Sequence, residues 1–377
     1  MSRDVAVGDD VGHRPIRIHA TNIAGVGAMQ LIQSLLPAME RVSGFDLTIL
    51  YLPAAGPLGV YKSLRHTTEV IRKKRILPNA ISRILECTLF ARKFDGDGEL
   101  LVLGDIPLRC RGPQTVFVQT PLLTSGARTK VKIAAAKYVI ARCLFRINAK
   151  FASAFIVQTE AMRHALSQTY PEISGRIHVI GQPPPGWLLK SGLRRAGSTR
   201  AVGAGLRLFY PAAEYPHKNH RLLSGIADGP ENSWPVSDLV LTVASHCNPN
   251  ASIPWLRCVG HLSPQNVLAE YQNADALLFL SLSESLGFPL LEAMWIGLPI
   301  ICPDLPYARV LCGSEAIYFQ PDEIESLRSA VMELHRRLSE GWWPDWSSAT
   351  KNLPGNWNEV AVSMLKIASG TNVGADR

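Results

Sequence analysis

Short apolar blocks, broken by polar and glycine-rich turns, recur along the whole chain. In the first half they are Arg17 to Ala20, FDLTILYLP, ELLVLGDIP, TVFVQTP, AFIVQT and RIHVIGQPPP; in the second, LRLFY, DLVLTVASH, LRCVGHL, ALLFL and IIC. Runs this short and this apolar predict strands covered on both faces, as in a parallel sheet. Helical patterns intervene, such as TNIAGVGAMQLIQSLLPAMERV, which a glycine turn opens. Strand alternating with helix predicts doubly wound α/β layers. The polar stretch KSGLRRAGSTRAVGAG divides the pattern into two similar halves. The predicted organisation is a first Rossmann-like domain over residues 1–190, a linker over 191–205 and a second Rossmann-like domain over 206–350. Residues 351–377 form a last helix, expected to pack back on the first domain, and a frayed tail.

LLFLSLSESLGFPLLEAMWIGLPII, Leu277 to Ile301, shows one unit of this pattern complete. Ala276 to Leu280 is a strand and Ser281 to Gly287 a small polar loop. Pro289 suits a first helical turn, where its missing N–H is no loss. Gly297 and Pro299 stop the helix before the strand from Ile300 to Cys302. In such a unit ligands bind outside the carboxyl end of the strand. Glu284 lies in that loop, and Glu292, about one turn into the helix, leans back over the same crevice. A carboxylate that accepts two hydroxyls, beside helix-start amides that hold phosphate, suits a nucleotide-linked sugar. The plainer reading makes Glu292 a complement to the helix dipole and Glu284 a solvated charge. It serves either residue alone better than the pair.

FYPAAEYPHKNHRLL supplies the second constellation. A strand, Leu206 to Tyr210, leads through a loop to His217 and Lys218 at the predicted start of a helix containing Leu222 and Leu223. The dipole disfavours a lysine there unless it shares an anion with the same amides. Lys218 is therefore a candidate to hold a diphosphate and to stabilise charge as it leaves.

ESLGFPLLE, HKNH and GHLSPQNVLAEYQNADALLFLSLSE together resemble the retaining glycosyltransferases usually called family 4. The resemblance is specific from about Phe209 to Pro321 and looser over the first 190 residues. It implies an α/β fold of the GT-B kind, two Rossmann-like doubly wound parallel-sheet domains facing across a cleft. It further implies that Glu292 grips the donor ribose, Glu284 faces the donor sugar, and Lys218 binds the diphosphate beside the amides of Gly287 and Phe288. His261 and Leu262 would hold the base through main chain, and Gly25 and Gly27 would bring the first domain's loop to the phosphates. The implied donor is a UDP- or GDP-sugar, used without a metal or cofactor. Two positions depart from the family pattern. Ala213 stands where many members pair an arginine with the lysine, leaving His217, His220 or an arginine of the first domain to substitute. Gln119 stands where a histidine is common, on the acceptor side.

Charge and composition then narrow the acceptor. Of a net charge of +8, much lies between Lys62 and Lys93 and between Arg128 and Lys150. The second stretch, RTKVKIAAAKYVIARCLFRINAK, alternates basic and apolar positions at helical spacing. Such a face suits an anionic membrane surface as well as plain solvation. No nucleic-acid motif accompanies it. No apolar run reaches the about 18 residues of a membrane helix, and MSRDVAVGDDVGHRP lacks the apolar core of a signal peptide. The expected location is therefore cytoplasmic, peripheral on the inner face of the plasma membrane. Seven dispersed cysteines without C-x-x-C argue for reduced thiols over zinc or disulfides.

Weaker motifs fall away. AGVGAMQ has Gln30 where a dinucleotide fingerprint needs its third glycine. Asp95-Gly96-Asp97 precedes its strand and reads as a turn, not a metal pair. His19, near the glycine loop, reads as a satisfied core histidine ahead of one that faces the cleft. The expected function is retaining, metal-independent hexosyl transfer to a saccharide or lipid-linked saccharide, as in polysaccharide or glycoconjugate synthesis. The rivals are a non-catalytic partner subunit that binds a sugar nucleotide and a nucleotide-sugar epimerase, which would need acid–base carboxylates in the first domain.

Overall fold

The computed structural model describes residues 15–370, apart from 24, 75–76, 78, 125–131, 199–204, 228 and 230–232. Two parallel sheets form its two layers. The first holds β1 (Ile16–His19), β2 (Leu47–Pro53), β3 (Glu69–Lys73), β4 (Glu99–Val102), β5 (Gln114–Phe117), β6 (Ala154–Val157) and β7 (Ile177–Val179) in the order β3-β2-β1-β4-β5-β6-β7. The second holds β8 (Leu206–Tyr210), β9 (Val236–Leu241), β10 (Leu256–Cys258), β11 (Ala276–Leu278), β12 (Ile300–Pro303) and β13 (Ile317–Phe319) in the order β10-β9-β8-β11-β12-β13. Both orders reverse beside their first strand, at β1/β4 and at β8/β11. A doubly wound sheet opens its ligand crevice at such a switch point. Lys218 follows β8 and Glu284 follows β11, so both fall at the second crevice.

The apolar blocks do what their composition predicts. Leu277, Leu278, Phe279 and Leu280 are no more than 1% exposed, because helices cover both faces of the sheet. The helices used below are α1 (Val26–Arg41), α2 (Asn79–Cys87), α3 (Lys132–Asn148), α4 (Glu160–Thr169), α5 (Gly186–Ser191), α6 (Pro264–Asn273), α7 (Phe288–Ile296) and α8 (Pro306–Cys312). After α9 (Ile324–Ser339) and the short α10 (Ser347–Thr350), α11 (Trp357–Ala368) returns to the first domain. Its Val360, Met364 and Leu365 share a core with Leu31 and Leu35 of α1, and the Trp357 indole donates to the Pro184 carbonyl at 2.9 Å. The described part of the linker lies on the second domain. Gly192 ends α5 in the left-handed region at φ 66°, and Arg195 N–H donates to the Ile296 carbonyl at 2.6 Å.

Three local outcomes refine the expectations. The edge strand β3 carries no apolar block because an edge is half-solvated, so TEVIRKK mixes charge with its apolar positions. The basic stretch around it is partly structural: Arg65 donates to the carbonyls of Glu40, Val42 and Phe45, and Arg72 to those of Gly59 and Tyr61. Asp95-Gly96-Asp97 is a turn, closed by the buried Arg17 guanidinium on the carbonyls of Phe94, Gly96 and Asp97. Of the second basic stretch, Arg128 and Lys130 lie outside the described residues.

Candidate functional site

The loop after β8 does not begin a regular helix at His217. It makes two 3₁₀ turns, Pro216–Lys218 and His220–Gly225, separated by Asn219 in the left-handed region at φ 56°. Asparagine tolerates that conformation, and a continuous helix cannot pass through it. The break keeps Lys218 at the crevice. The Lys218 carbonyl accepts from Tyr210 Oη at 2.7 Å, while Leu282 N–H donates to the His217 carbonyl at 2.7 Å, tying this loop to the one after β11.

Across that tie, Lys218 Nζ pairs with the Glu284 carboxylate, and the side chains are 14% and 13% exposed. The loop ends at Gly287, left-handed at φ 79°, where a side chain would be strained. α7 then starts with Phe288 and Pro289. Glu292 is 4% exposed in this helix. Tyr271 Oη of α6 donates to its Oε2 at 2.7 Å, and Gln30 Nε2 of α1 donates to its Oε1 at 3.4 Å. Burial pushes the Glu292 carboxyl up to about 7, with the Tyr271 and Gln30 hydrogen bonds pulling in the other direction. Thus the two carboxylates of the motif differ in kind. Glu284 is ion-paired, and Glu292 sits near neutrality with only neutral donors on it.

The first domain meets this wall directly. Gly25, at φ 105°, caps α1, and a β-carbon there would lie 3.7 Å from Tyr215 Oη. Ser285 Oγ donates to Gln158 Oε1 at 2.7 Å, and Thr159 Oγ1 donates to the Ser285 carbonyl at 2.9 Å. The sequence-predicted residues separate accordingly. Lys218 and Glu284 pair beside Gly287; Phe288 and Glu292 stand in the helix that follows, and Gly25 faces Tyr215 in the loop that carries Lys218. Gly27 is an exposed residue inside α1. His261 is exposed and Leu262 half-buried just before α6. Gln119 follows β5, with its side-chain amide donating to the Leu103 carbonyl at 2.9 Å and its N–H to Asp105 Oδ1 at 2.6 Å.

The histidines proposed to replace a cation at position 213 are poor cations here. Burial lowers the His217 imidazole and takes that of His220 down to about 4. Tyr271, Gln30, Gln158 and Asn219 were not anticipated, since no local pattern marks a residue that acts across a fold. Nor was Glu86 of α2. It accepts from Thr21 Oγ1 and from Asn22 Nδ2 at 3.1 Å, and lies 2.6 Å from His19 Nε2, bracing the chain between β1 and Gly25. His19 itself is fully buried, with its ring edge-on to Phe94.

Known proteins extend this picture. Residues 253–337 match the family described as glycosyl transferases group 1. The serotype-specific mannosyltransferase WbdA of Escherichia coli is 28% identical over 136 residues, covering 33% of this chain and 16% of that protein. The match therefore spans about one-sixth of the length of that curated relative. Among solved structures, Anabaena HepE in complex with UDP-glucose superposes with a TM-score of 0.59 at 15% identity, covering 95% of this chain and 100% of that one. A glycosyltransferase from Rickettsia africae superposes with a TM-score of 0.60 at 11% identity, covering 97% and 100%.

Proposed function

We propose that this chain, a GT-B protein carrying a glycosyl transferases group 1 segment at residues 253–337, moves a hexosyl unit from a nucleoside-diphosphate sugar to a saccharide or lipid-linked saccharide. The observation that carries the reading is the pairing of Lys218 with Glu284 at the β8/β11 switch point, directly before the helix that carries Glu292. The three stand on loops and a helix up to 74 residues apart in sequence. In this reading Glu292 accepts the two ribose hydroxyls, displacing Gln30. Lys218 and the amides of Gly287 and Phe288 take the diphosphate, whose charge grows as the anomeric bond breaks. Glu284, released from Lys218, faces the sugar. The acceptor hydroxyl attacks from the departing side and gives its proton to a donor-phosphate oxygen, so the anomeric configuration is kept. A UDP- or GDP-sugar is the expected donor, and a surface polysaccharide or glycolipid the expected product. The UDP-glucose bound by HepE and the mannosyl transfer named for WbdA support that class.

Ala213 and the neutral histidines favour a second reading, a partner subunit that binds the donor without turning it over. One experiment separates the two. Purified protein is mixed with UDP-glucose, UDP-galactose or GDP-mannose, and its Tm and the released nucleoside diphosphate are followed. Binding to the folded state alone should stabilise it by about 2.7 kcal/mol at a hundredfold excess over Kd. Transfer requires the Tm rise together with release. A Tm rise alone selects the partner subunit, a new sugar nucleotide selects an epimerase, and no rise with any donor defeats all three.

The acceptor side points to a lipid surface. Leu89, Phe90, Val139, Ile140 and Ile147 are exposed on the first domain, which also presents Arg92, Lys93, Arg146 and Lys150 to solvent. Among the described residues no helix is long and apolar enough to cross a membrane. Peripheral attachment fits both facts. Sedimentation with vesicles of anionic lipid should capture the protein at low salt and release it as the screening length falls from about 10 Å at 0.1 M to about 3 Å at 1 M. Capture by neutral vesicles, or capture that salt leaves unchanged, contradicts the electrostatic part of the proposal.

A further inference from the structure

Outside the Lys218–Glu284–Glu292 crevice, Glu214, His246 and Cys247 each offer one ligand atom, all within 4.8 Å of one another. Glu214 lies in the loop after β8, and His246 and Cys247 lie in the 3₁₀ turn Ser245–Cys247 after β9. The backbone already orients Glu214 and Cys247. Cys247 N–H donates to the Ala244 carbonyl at 2.9 Å, closing the turn, and Ala244 N–H donates to Glu214 Oε1 at 3.1 Å. Carboxylate, imidazole and thiolate are the three donor types that zinc takes, and a soft sulfur beside an imidazole discriminates against magnesium and calcium. Bonds of about 2.0–2.3 Å in a tetrahedron set donor atoms roughly 3.3–3.8 Å apart, so small side-chain rotations suffice. Glu214 and His246 are exposed, which leaves the ion a path in. The missing C-x-x-C spacing is no objection, because the ligands come from two loops that the sheet brings together.

We propose that Glu214, His246 and Cys247 bind one Zn²⁺, with water in the fourth position. On binding, the Cys247 thiol gives up its proton to solvent as its sulfur bonds the metal. The ion fastens the loop after β8 to the loop after β9. Glu214 precedes Lys218 by four residues in that first loop, so the ion restrains the loop that carries Lys218. It takes no part in bond breaking, and the proposal stands or falls independently of any sugar transfer.

The test uses the tag-free full chain, stripped with a chelator and titrated with Zn²⁺, and with Co²⁺ as a spectroscopic probe. We expect one Zn²⁺ per chain, a raised Tm and a cobalt–thiolate charge-transfer band. Cys247→Ser should abolish the band, and Glu214→Gln and His246→Gln should each weaken Zn²⁺ binding by at least about 10- to 100-fold. Cys143→Ser, which changes an exposed thiol elsewhere, should keep the band. Failure of the wild type to bind Zn²⁺, a missing band, or a band that survives Cys247→Ser overturns the assignment.

Discussion

Replacing Lys218 with alanine should lower kcat for sugar transfer by about 10²- to 10³-fold, the cost of losing one preorganised donor to a developing negative charge. The expectation rests on position. Lys218 has its ammonium on a carboxylate, at the crevice where a diphosphate would lie against the start of α7. His217 and His220 are held neutral by burial, and Ala213 offers nothing, so little nearby can take over the charge. Because the contact strengthens as the bond breaks, the loss should fall on kcat and kcat/KM together. Lys218→Arg should recover part of it. The truncation also leaves the Glu284 carboxylate without its partner in a site 13% exposed, so a drop in Tm is expected alongside. Adding Glu284→Gln removes that orphan charge and should restore Tm without restoring kcat. Wild-type kcat in Lys218→Ala would refute the assignment of the diphosphate site.

The second large effect is on pH. In the proposed site ribose hydroxyls would donate to the charged form of Glu292, yet burial holds this carboxyl at about 7 in the free protein. Donor Kd should therefore rise as pH falls below about 7, approaching tenfold per pH unit. Binding near pH 7 should release a proton, measurable by calorimetry in buffers of different ionisation heat. Glu292→Gln should weaken binding above pH 7 and flatten the profile. Stability carries the opposite sign. A carboxyl whose folded-state value is raised keeps its proton when the unfolded chain has lost it, so stability falls as pH rises from about 4.5 to about 7. Glu292→Gln should then raise Tm at pH 8 while it weakens the donor. If the profile of the variant still bends near pH 7, another group is responsible.

The unit from Ala276 to Cys302 was legible because its signals are local. An apolar block reads as a buried strand wherever it stands, and Pro289 suits only a first turn. Gly287 and Gly297, at φ 79° and 94°, adopt backbone that side chains resist. The fold followed, since alternating strands and helices of these lengths leave few arrangements but the doubly wound sheet. The turn at Asp95–Asp97 was equally a matter of neighbouring residues. β3 was not legible, because half-solvated edge strands carry mixed residues, and neither was the break at Asn219, where a helical pattern on paper continues through a left-handed residue.

The chemistry of the site was readable only in part, for a different reason. Residue types within one βαβ unit named the two glutamates, but not the state of either. Glu284 is an ion-pair partner because Lys218 arrives from 66 positions away, and Glu292 is pushed up to about 7 because the fold buries it, against the hydrogen bonds from Tyr271 and from Gln30, 262 positions away. Strand, turn and helix are decided over a few bonds and are written in adjacent letters. Charge state and ligand geometry depend on desolvation and on partners that come together only when both sheets have formed.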